Sequence, residues 1–106
     1  MSDWFEEYMK KPATVENVKK ALIECYVSVQ KQAYGGKLPE EITEDFLVNQ
    51  LKCVFHSKGV DFDNPSKQDL LRIINELRGT LCCIAGEEKA NEHYEKMKKL
   101  IERLPE

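Results

Sequence analysis

The hydrophobic residues of this chain recur with the period of an α-helix, and turn-forming residues divide that pattern into five segments. The divisions fall at Pro12, Gly35-Gly36, Pro39, Gly59, Asn64-Pro65, Gly86 and Pro105. No segment alternates between apolar and polar residues as a half-buried strand does. The sequence therefore predicts an all-α fold, a small antiparallel bundle of four main helices plus a short N-terminal helix, in a single domain over residues 1–106.

The short N-terminal helix is predicted over residues 2–11. Ser2 can cap it and Pro12 ends it, while Trp4, Phe5 and Tyr8 give it one aromatic face. A helix of this length is unstable by itself in water. We therefore expect it to form by packing that aromatic face against the other helices.

The next two helices have clear boundaries in the sequence. The first runs over residues 14–34, from a Thr14 cap to the glycine pair that follows. The third helix of the chain begins near Pro39 or Thr43 and ends at Gly59. The sequence leaves its two possible starting residues open.

Two alternative starts are also open for the fourth helix, which ends before Gly86. Asn64 can cap a helix whose first residue is Pro65, since proline suits the first helical position. Alternatively, Ser66 and Asp69 can form a capping box slightly further along. The fifth helix is predicted over residues 87–104, with one apolar face and Glu–Lys pairs on the other.

The second and third helices are unusual because each has apolar residues on two sides. A helix at the surface of a small domain needs one apolar stripe. On the second helix the additional residues are Ile23, Val27 and Tyr34. On the third helix the additional face has helical spacing and comprises Ile42, Phe46, Asn49, Cys53 and His56.

These surplus faces carry the functional prediction. The N-terminal helix is expected to cover part of them, and a second copy of the chain or another protein the remainder. We therefore predict a non-enzymatic helical interaction module, a homodimer or a binder of another protein. Its predicted interaction face comprises Trp4, Phe5, Tyr8, Ile23, Val27, Tyr34, Ile42 and Phe46. The alternative is a monomer in which the N-terminal helix covers all the surplus surface.

Composition and charge exclude several other classes of function. The net charge is −3, and lysines and arginines are scattered among acidic residues, so we expect no nucleic-acid partner. No run of 18 apolar residues occurs, so we expect no membrane span. The acidic residues 1–7 lack the apolar core of a signal peptide, which favours a cytoplasmic protein.

Four cysteines lie within the predicted helices. The sequence contains no recognisable motif for an organic cofactor, so none is predicted. In a cytoplasmic protein we expect reduced thiols that act as small apolar side chains. The helical spacing predicts that Cys82 flanks the core while its neighbour Cys83 lies on the polar side. No complete set of catalytic residues is present, and two histidines give little material for a triad.

A zinc site is the first alternative to the interaction module. Cys53 and His56 are three residues apart on one helix face, which can direct a thiolate and an imidazole at one metal ion. Structural zinc needs about four ligands, so other helices would have to supply more cysteines or histidines. The simpler interpretation is that Cys53 packs against a neighbouring helix and His56 lies at its edge.

A magnesium-dependent enzyme is the second alternative. Glu41 and Glu44 have the spacing that places two carboxylates on one helix face. This spacing resembles the first half of the metal motif in all-α nucleoside triphosphate pyrophosphohydrolases of the MazG kind. The resemblance would imply Mg²⁺-dependent nucleotide hydrolysis. The second half of the motif, a downstream ExxD, is missing. Glu92 and Glu95 form another ExxE, but it lies too far along the chain. The family is therefore not assigned, and acids in a first helical turn also complement the helix dipole.

Overall fold

The computed structural model describes residues 4–105, and every regular element within them is an α-helix. The five helices are α1 (Trp4–Met9), α2 (Val15–Ala33), α3 (Glu44–Ser57), α4 (Lys67–Ala85) and α5 (Glu87–Glu102). The predicted all-α fold of four main helices and a short N-terminal helix is confirmed. The predicted cap Ser2 lies outside the described residues.

Hydroxyl caps begin α2 and α3. The Oγ1 atom of Thr14 accepts a hydrogen bond of 3.1 Å from the backbone N–H of Asn17. The Oγ1 atom of Thr43 accepts an equivalent bond of 3.1 Å from Phe46. Each bond satisfies one of the N–H groups that a first helical turn leaves without an intrahelical partner. Of the two starts predicted for the third helix, Thr43 is therefore correct and Pro39 is not.

A capping box begins α4. The backbone N–H of Asp69 donates to the Oγ atom of Ser66 at 3.0 Å, and the N–H of Ser66 donates to the Oδ2 atom of Asp69 at 3.2 Å. The predicted start at Asn64 and Pro65 is wrong. The reciprocal pair satisfies two N–H groups at once, whereas an Asn64 cap would satisfy one. Pro65 instead lies buried in the segment before the helix.

The bundle is organised around a hairpin of α4 and α5. Gly86 alone separates these helices, and its φ of 91° lies in the region that glycine adopts without strain. α2 packs against both helices of the hairpin, and α3 packs mainly on α2. α1 crosses the outside of α2 and also contacts α5. The largest fully buried side chains are Phe55, Leu47, Leu51, Leu70, Ile73, Met97, Ile101, Val29 and Cys25.

Hydrogen bonds hold α3 against its neighbours. The hydroxyl of Tyr26 on α2 donates to the Oε1 atom of Gln50 on α3 at 3.0 Å. At the C-terminal end of α3, the Nη2 atom of Arg72 donates to the carbonyl of the cap residue Lys58 at 3.2 Å. Among the described residues, 4–105, no helix has both the length and the apolar character required to cross a bilayer.

Candidate functional site

The additional apolar residues of α2 form one continuous strip, which we call the outer face of α2. At 100° per residue, Ile23, Val27 and Tyr34 fall within about 40° of one another around the helix. Val27 is 7% exposed and Ile23 is half-buried, whereas Tyr34, the C-cap residue, is 48% exposed. The strip is therefore covered at its centre and open at its C-terminal end.

α1 provides the cover. Trp4 and Tyr8 are both buried, and the Trp4 ring stacks on the imidazole of His93 with a centroid distance of 6.0 Å and an interplanar angle of 18°. Phe5 meets Trp4 edge to face at 6.2 Å and is itself half-buried. As predicted, the aromatic face of the N-terminal helix packs against the bundle. His93, on the apolar face of α5, lies in the core beneath it.

A second contact of α1 reaches a charged residue on α2. The hydroxyl of Tyr8 donates to the Oε1 atom of Glu24 at 3.3 Å. Burial, the negative charge of Glu24, the hydrogen bond to Glu24 and the negative charge of Glu7 together raise the pKa of Tyr8 to about 12, with burial the largest cause. Tyr8 is therefore held as a neutral hydrogen-bond donor.

The segment after α1 is fixed from the C-terminal end of the chain. The guanidinium of Arg103 donates to the carbonyl of Tyr8 at 3.1 Å and to that of Lys11 at 2.8 Å. The side-chain amide of Asn17 donates to the carbonyl of Pro12 at 2.9 Å. These bonds satisfy carbonyl groups at the end of a helix only six residues long.

Beside α1, an open groove of about 480 Å³ remains along the outer face of α2. Trp4, Ile23 and Val27 form its apolar floor. Charged side chains form its rim, where the Nζ atom of Lys31 lies 3.7 Å from a carboxylate oxygen of Glu44. The remaining lining residues are Glu24, Ser28, Gln32 and Gly36. We call this the α2 groove.

The additional face of α3 is different. Phe46, Asn49, Cys53 and His56 follow helical spacing along what we call the outer face of α3, and all four are exposed. Phe46 is 49% exposed. Ile42, before the helix begins, is half-buried against the core. Of the predicted interaction residues, Trp4, Ile23 and Val27 line the α2 groove, whereas Tyr34 and Phe46 are exposed at the end of α2 and on α3.

A second groove, of about 620 Å³, runs beside the C-terminal half of the outer face of α3. Cys53, His56, Asp61 and Asp63 all line it, together with the ring of Phe62. The carboxylate of Asp61 accepts a hydrogen bond of 3.0 Å from the backbone N–H of Asp63, so that it stabilises the turn before α4.

Cys53 and His56, the pair that suggests a zinc site as an alternative, both line this second groove. Over residues 4–105, no group of three or more histidine, cysteine, aspartate or glutamate side chains converges closely enough to hold a metal ion. Cys53 does not pack against a neighbouring helix, contrary to the simpler interpretation of the sequence, since it is exposed. The helical spacing of Cys53 and His56 is real, but within the described residues Asp61 and Asp63, which line the same groove, do not converge with them into a metal-binding group.

The acidic pair is also arranged differently from the prediction. α3 begins at Glu44, and Glu41 lies in the turn before its Thr43 cap. The two carboxylates therefore do not share one helix face as the magnesium motif requires. Glu44 instead lies in the first turn of α3, where a negative charge complements the helix dipole, and it pairs with Lys31.

The cysteines follow the prediction only in part. None of the four forms a disulfide, and Cys25 is buried while Cys53, Cys82 and Cys83 are exposed. The prediction that Cys82 flanks the core is wrong. α4 buries the narrow stripe that faces α5 and α2, and Cys82 falls beside a surface depression lined by Arg78 and Gly79.

Sequence reasoning missed the charged residues on the rim of the α2 groove. Glu24 and Lys31 carry opposite charges two helical turns apart, and a search for such pairs beside an apolar strip would have found them. No protein-family model matches this sequence, and no curated protein and no solved structure is significantly similar to it.

Proposed function

We propose that this protein is a non-enzymatic helical interaction module that associates with a second copy of itself through the outer face of α2. The observation that supports this proposal is the pairing of features on one helix face. Tyr34 is an aromatic knob that is 48% exposed at the C-terminal end of this face, and the α2 groove along the same helix has an apolar floor of Trp4, Ile23 and Val27. In a two-fold dimer the same patch is used twice, so each knob has a groove to fill.

The size of this patch predicts a reversible complex. Its apolar part consists of one aromatic side chain and one open groove per copy, which is at the low end of specific interfaces. Burying half a tyrosine contributes only about 1 kcal/mol per copy, and association also costs translational and rotational entropy. We expect dissociation constants on the order of micromolar to tens of micromolar.

A reducing compartment suits the same proposal. Cys53, Cys82 and Cys83 are exposed free thiols, which an oxidising environment would convert to random disulfides between copies. We therefore include a cytoplasmic location in the proposal, with non-covalent association as its functional form.

Sedimentation velocity over a wide concentration range tests the proposal with a matched pair of variants. Tyr34→Glu and Phe46→Glu each place a charge at an aromatic residue that is about half exposed, at 48% and 49%. We expect the unmodified chain to sediment faster as its concentration rises. Tyr34→Glu should remain monomeric, and Phe46→Glu should behave as the unmodified chain.

Two outcomes contradict the proposal. The first is an unmodified chain that stays monomeric to roughly ten times the upper limit of the expected dissociation constant. The second is loss of association in Phe46→Glu with retention in Tyr34→Glu, which would place the interface on the outer face of α3.

A further inference from the structure

The charges along the α2 groove select one arrangement of the two copies. Glu24 and Lys31 lie within about 20° of one another around α2 and are two turns, or about 10 Å, apart along its axis. Glu24 is exposed and the side chain of Lys31 is 45% exposed, so both can meet another molecule. On α2 itself, the two positions that flank Val27 and Ser28 along this face therefore carry opposite charges, negative at Glu24 and positive at Lys31.

A face with this pattern is complementary to itself only when it is reversed. In a parallel pair of α2 helices, Glu24 would face Glu24 and Lys31 would face Lys31, and like charges would oppose one another. In an antiparallel pair, Glu24 of each copy faces Lys31 of the other. The two helix dipoles are then also antiparallel, which is the favourable orientation.

We propose that two copies pair through antiparallel α2 helices, crossing between Val27 and Ser28, with Glu24 of each copy opposite Lys31 of the other. This inference rests on the proposed function of self-association and specifies its geometry. Ser28, which is half-buried, is small enough to let the two helix axes approach at the crossing point.

In the same register, the exposed aromatic residue Tyr34 occupies the α2 groove of the other copy. A two-fold axis perpendicular to both helices places the same side of each helix on the same side of the dimer. Tyr34 of one copy therefore lies next to Ile23 of the other, above the groove floor. Lys20, one turn before Glu24 on the same face, comes opposite that tyrosine, where an ammonium group can lie over the ring. The apolar knob and the two ion pairs therefore fit one arrangement.

Contacts within one copy do not prevent this exchange. Lys31 pairs with Glu44 at 3.7 Å, and the side chains of these residues are 45% and 68% exposed. An exposed pair of this kind contributes little, so Lys31 can turn to another carboxylate. Glu24 accepts from Tyr8 with one carboxylate oxygen, and a carboxylate has capacity for further donors.

Charge reversal tests the register by sedimentation equilibrium. Glu24→Lys alone places two lysines opposite each other, and Lys31→Glu alone places two glutamates opposite each other. We expect each single variant to raise the dissociation constant at least tenfold. The double variant Glu24→Lys/Lys31→Glu should return to within about threefold of the unmodified chain, because it restores both pairs with their signs exchanged.

A mixture of the two single variants gives the sharpest result. In a heterodimer of Glu24→Lys with Lys31→Glu, the two substituted positions face each other and carry opposite charges. The other contact is the original pair of Glu24 and Lys31. We therefore expect the mixture to associate where neither variant does alone. Glu88→Lys and Lys99→Glu, on the exposed side of α5, are the matched charge controls and should leave association unchanged.

The outcomes separate the register from self-association itself. If the unmodified chain associates but the single variants do so equally well, or the mixture fails to associate, the antiparallel register is overturned while the proposed function stands. An unmodified chain that remains monomeric overturns both. Circular dichroism melts of each variant verify that the fold is retained.

Discussion

The outer faces of α2 and α3 had the same status in the sequence, and the structure treats them in opposite ways. On α2, α1 packs over the strip, so Val27 is 7% exposed. On α3 nothing within residues 4–105 covers the corresponding strip, and Phe46 is 49% exposed. Burial of the aliphatic side chains of Ile23 and Val27 stabilises the fold. On α3, Phe46 is followed by Asn49 and His56, whose polar groups lose hydration when they are buried.

This difference shows that additional apolar faces on helices behave differently according to the residues that compose them. A second face made of aliphatic residues attracts a covering element, and what remains uncovered there is a shaped groove with a charged rim. A second face with one aromatic residue among polar ones stays in water without large cost, because scattered exposed apolar residues are normal. The first kind of face is therefore the better candidate for recognition.

Removing the cover of α2 should have the largest effect on stability. Trp4→Ala deletes the buried ring that packs on His93 and forms part of the groove floor. We expect a loss of about 3 kcal/mol in the free energy of unfolding, measured by chemical denaturation. Trp4→Phe is the conservative control and should lose clearly less. A loss below about 1 kcal/mol in Trp4→Ala would mean that α1 does not contribute to the core.

High pH should weaken the same cover through Tyr8. The folded protein holds the pKa of Tyr8 at about 12, above the value of 10.0 for an unperturbed tyrosine. The stabilisation is therefore complete below about pH 10 and is lost as the pH rises through about 12, since the unfolded chain releases this proton first.

Tyr8→Phe isolates this effect from the titration of lysines, which both proteins share. We expect the melting temperature of the unmodified chain to fall more steeply between about pH 9 and pH 12 than that of Tyr8→Phe. Parallel curves for the two proteins would show that the phenol titrates alike in the folded and unfolded states.

Arg103→Gln should loosen α1 with a smaller cost. It removes charged donors to the carbonyls of Tyr8 and Lys11, which are 3.1 and 2.8 Å away. Because Arg103 is exposed, we expect a loss of about 1 kcal/mol and faster hydrogen exchange in α1. Arg72→Gln, which removes an equivalent bond to Lys58, is the matched control and should leave exchange in α1 unchanged. Equal acceleration in both variants would contradict a local role for Arg103.

The smallest effect is expected on the outer face of α3. Phe46→Ala shortens a side chain that is already half in water, and alanine favours the helix. We expect the free energy of unfolding to change by less than about 0.5 kcal/mol in the same denaturation assay. A loss above about 1 kcal/mol would show that this face is not as independent of the core as its exposure indicates.

The parts of the fold that the sequence predicted are those that depend on neighbouring residues. Thr14 caps α2 because its hydroxyl reaches an N–H three residues further along, and such rules need no tertiary structure. Where two local signals competed, the reciprocal pair of Ser66 and Asp69 prevailed over Asn64, and periodicity alone could not rank them.

The candidate site was harder to predict because its shape depends on distant parts of the chain. That α1 would cover α2 rather than α3 is determined by the stacking of Trp4 on His93 and the hydrogen bond from Arg103 to Tyr8, whose partners lie at the other end of the sequence. The residues of both strips could be listed, but which strip stays open is decided by packing. The exposure of Cys82 was missed for the same reason, since its helix buries only one narrow stripe.

The stacking of Trp4 on His93 also makes the protein its own fluorescent sensor. Trp4 is the single tryptophan of the chain, and it lies at the seam between α1 and the bundle, beside the α2 groove. Its emission will therefore report locally on whether that seam is closed, open to water or occupied by another molecule, with no attached dye and no second tryptophan in the chain.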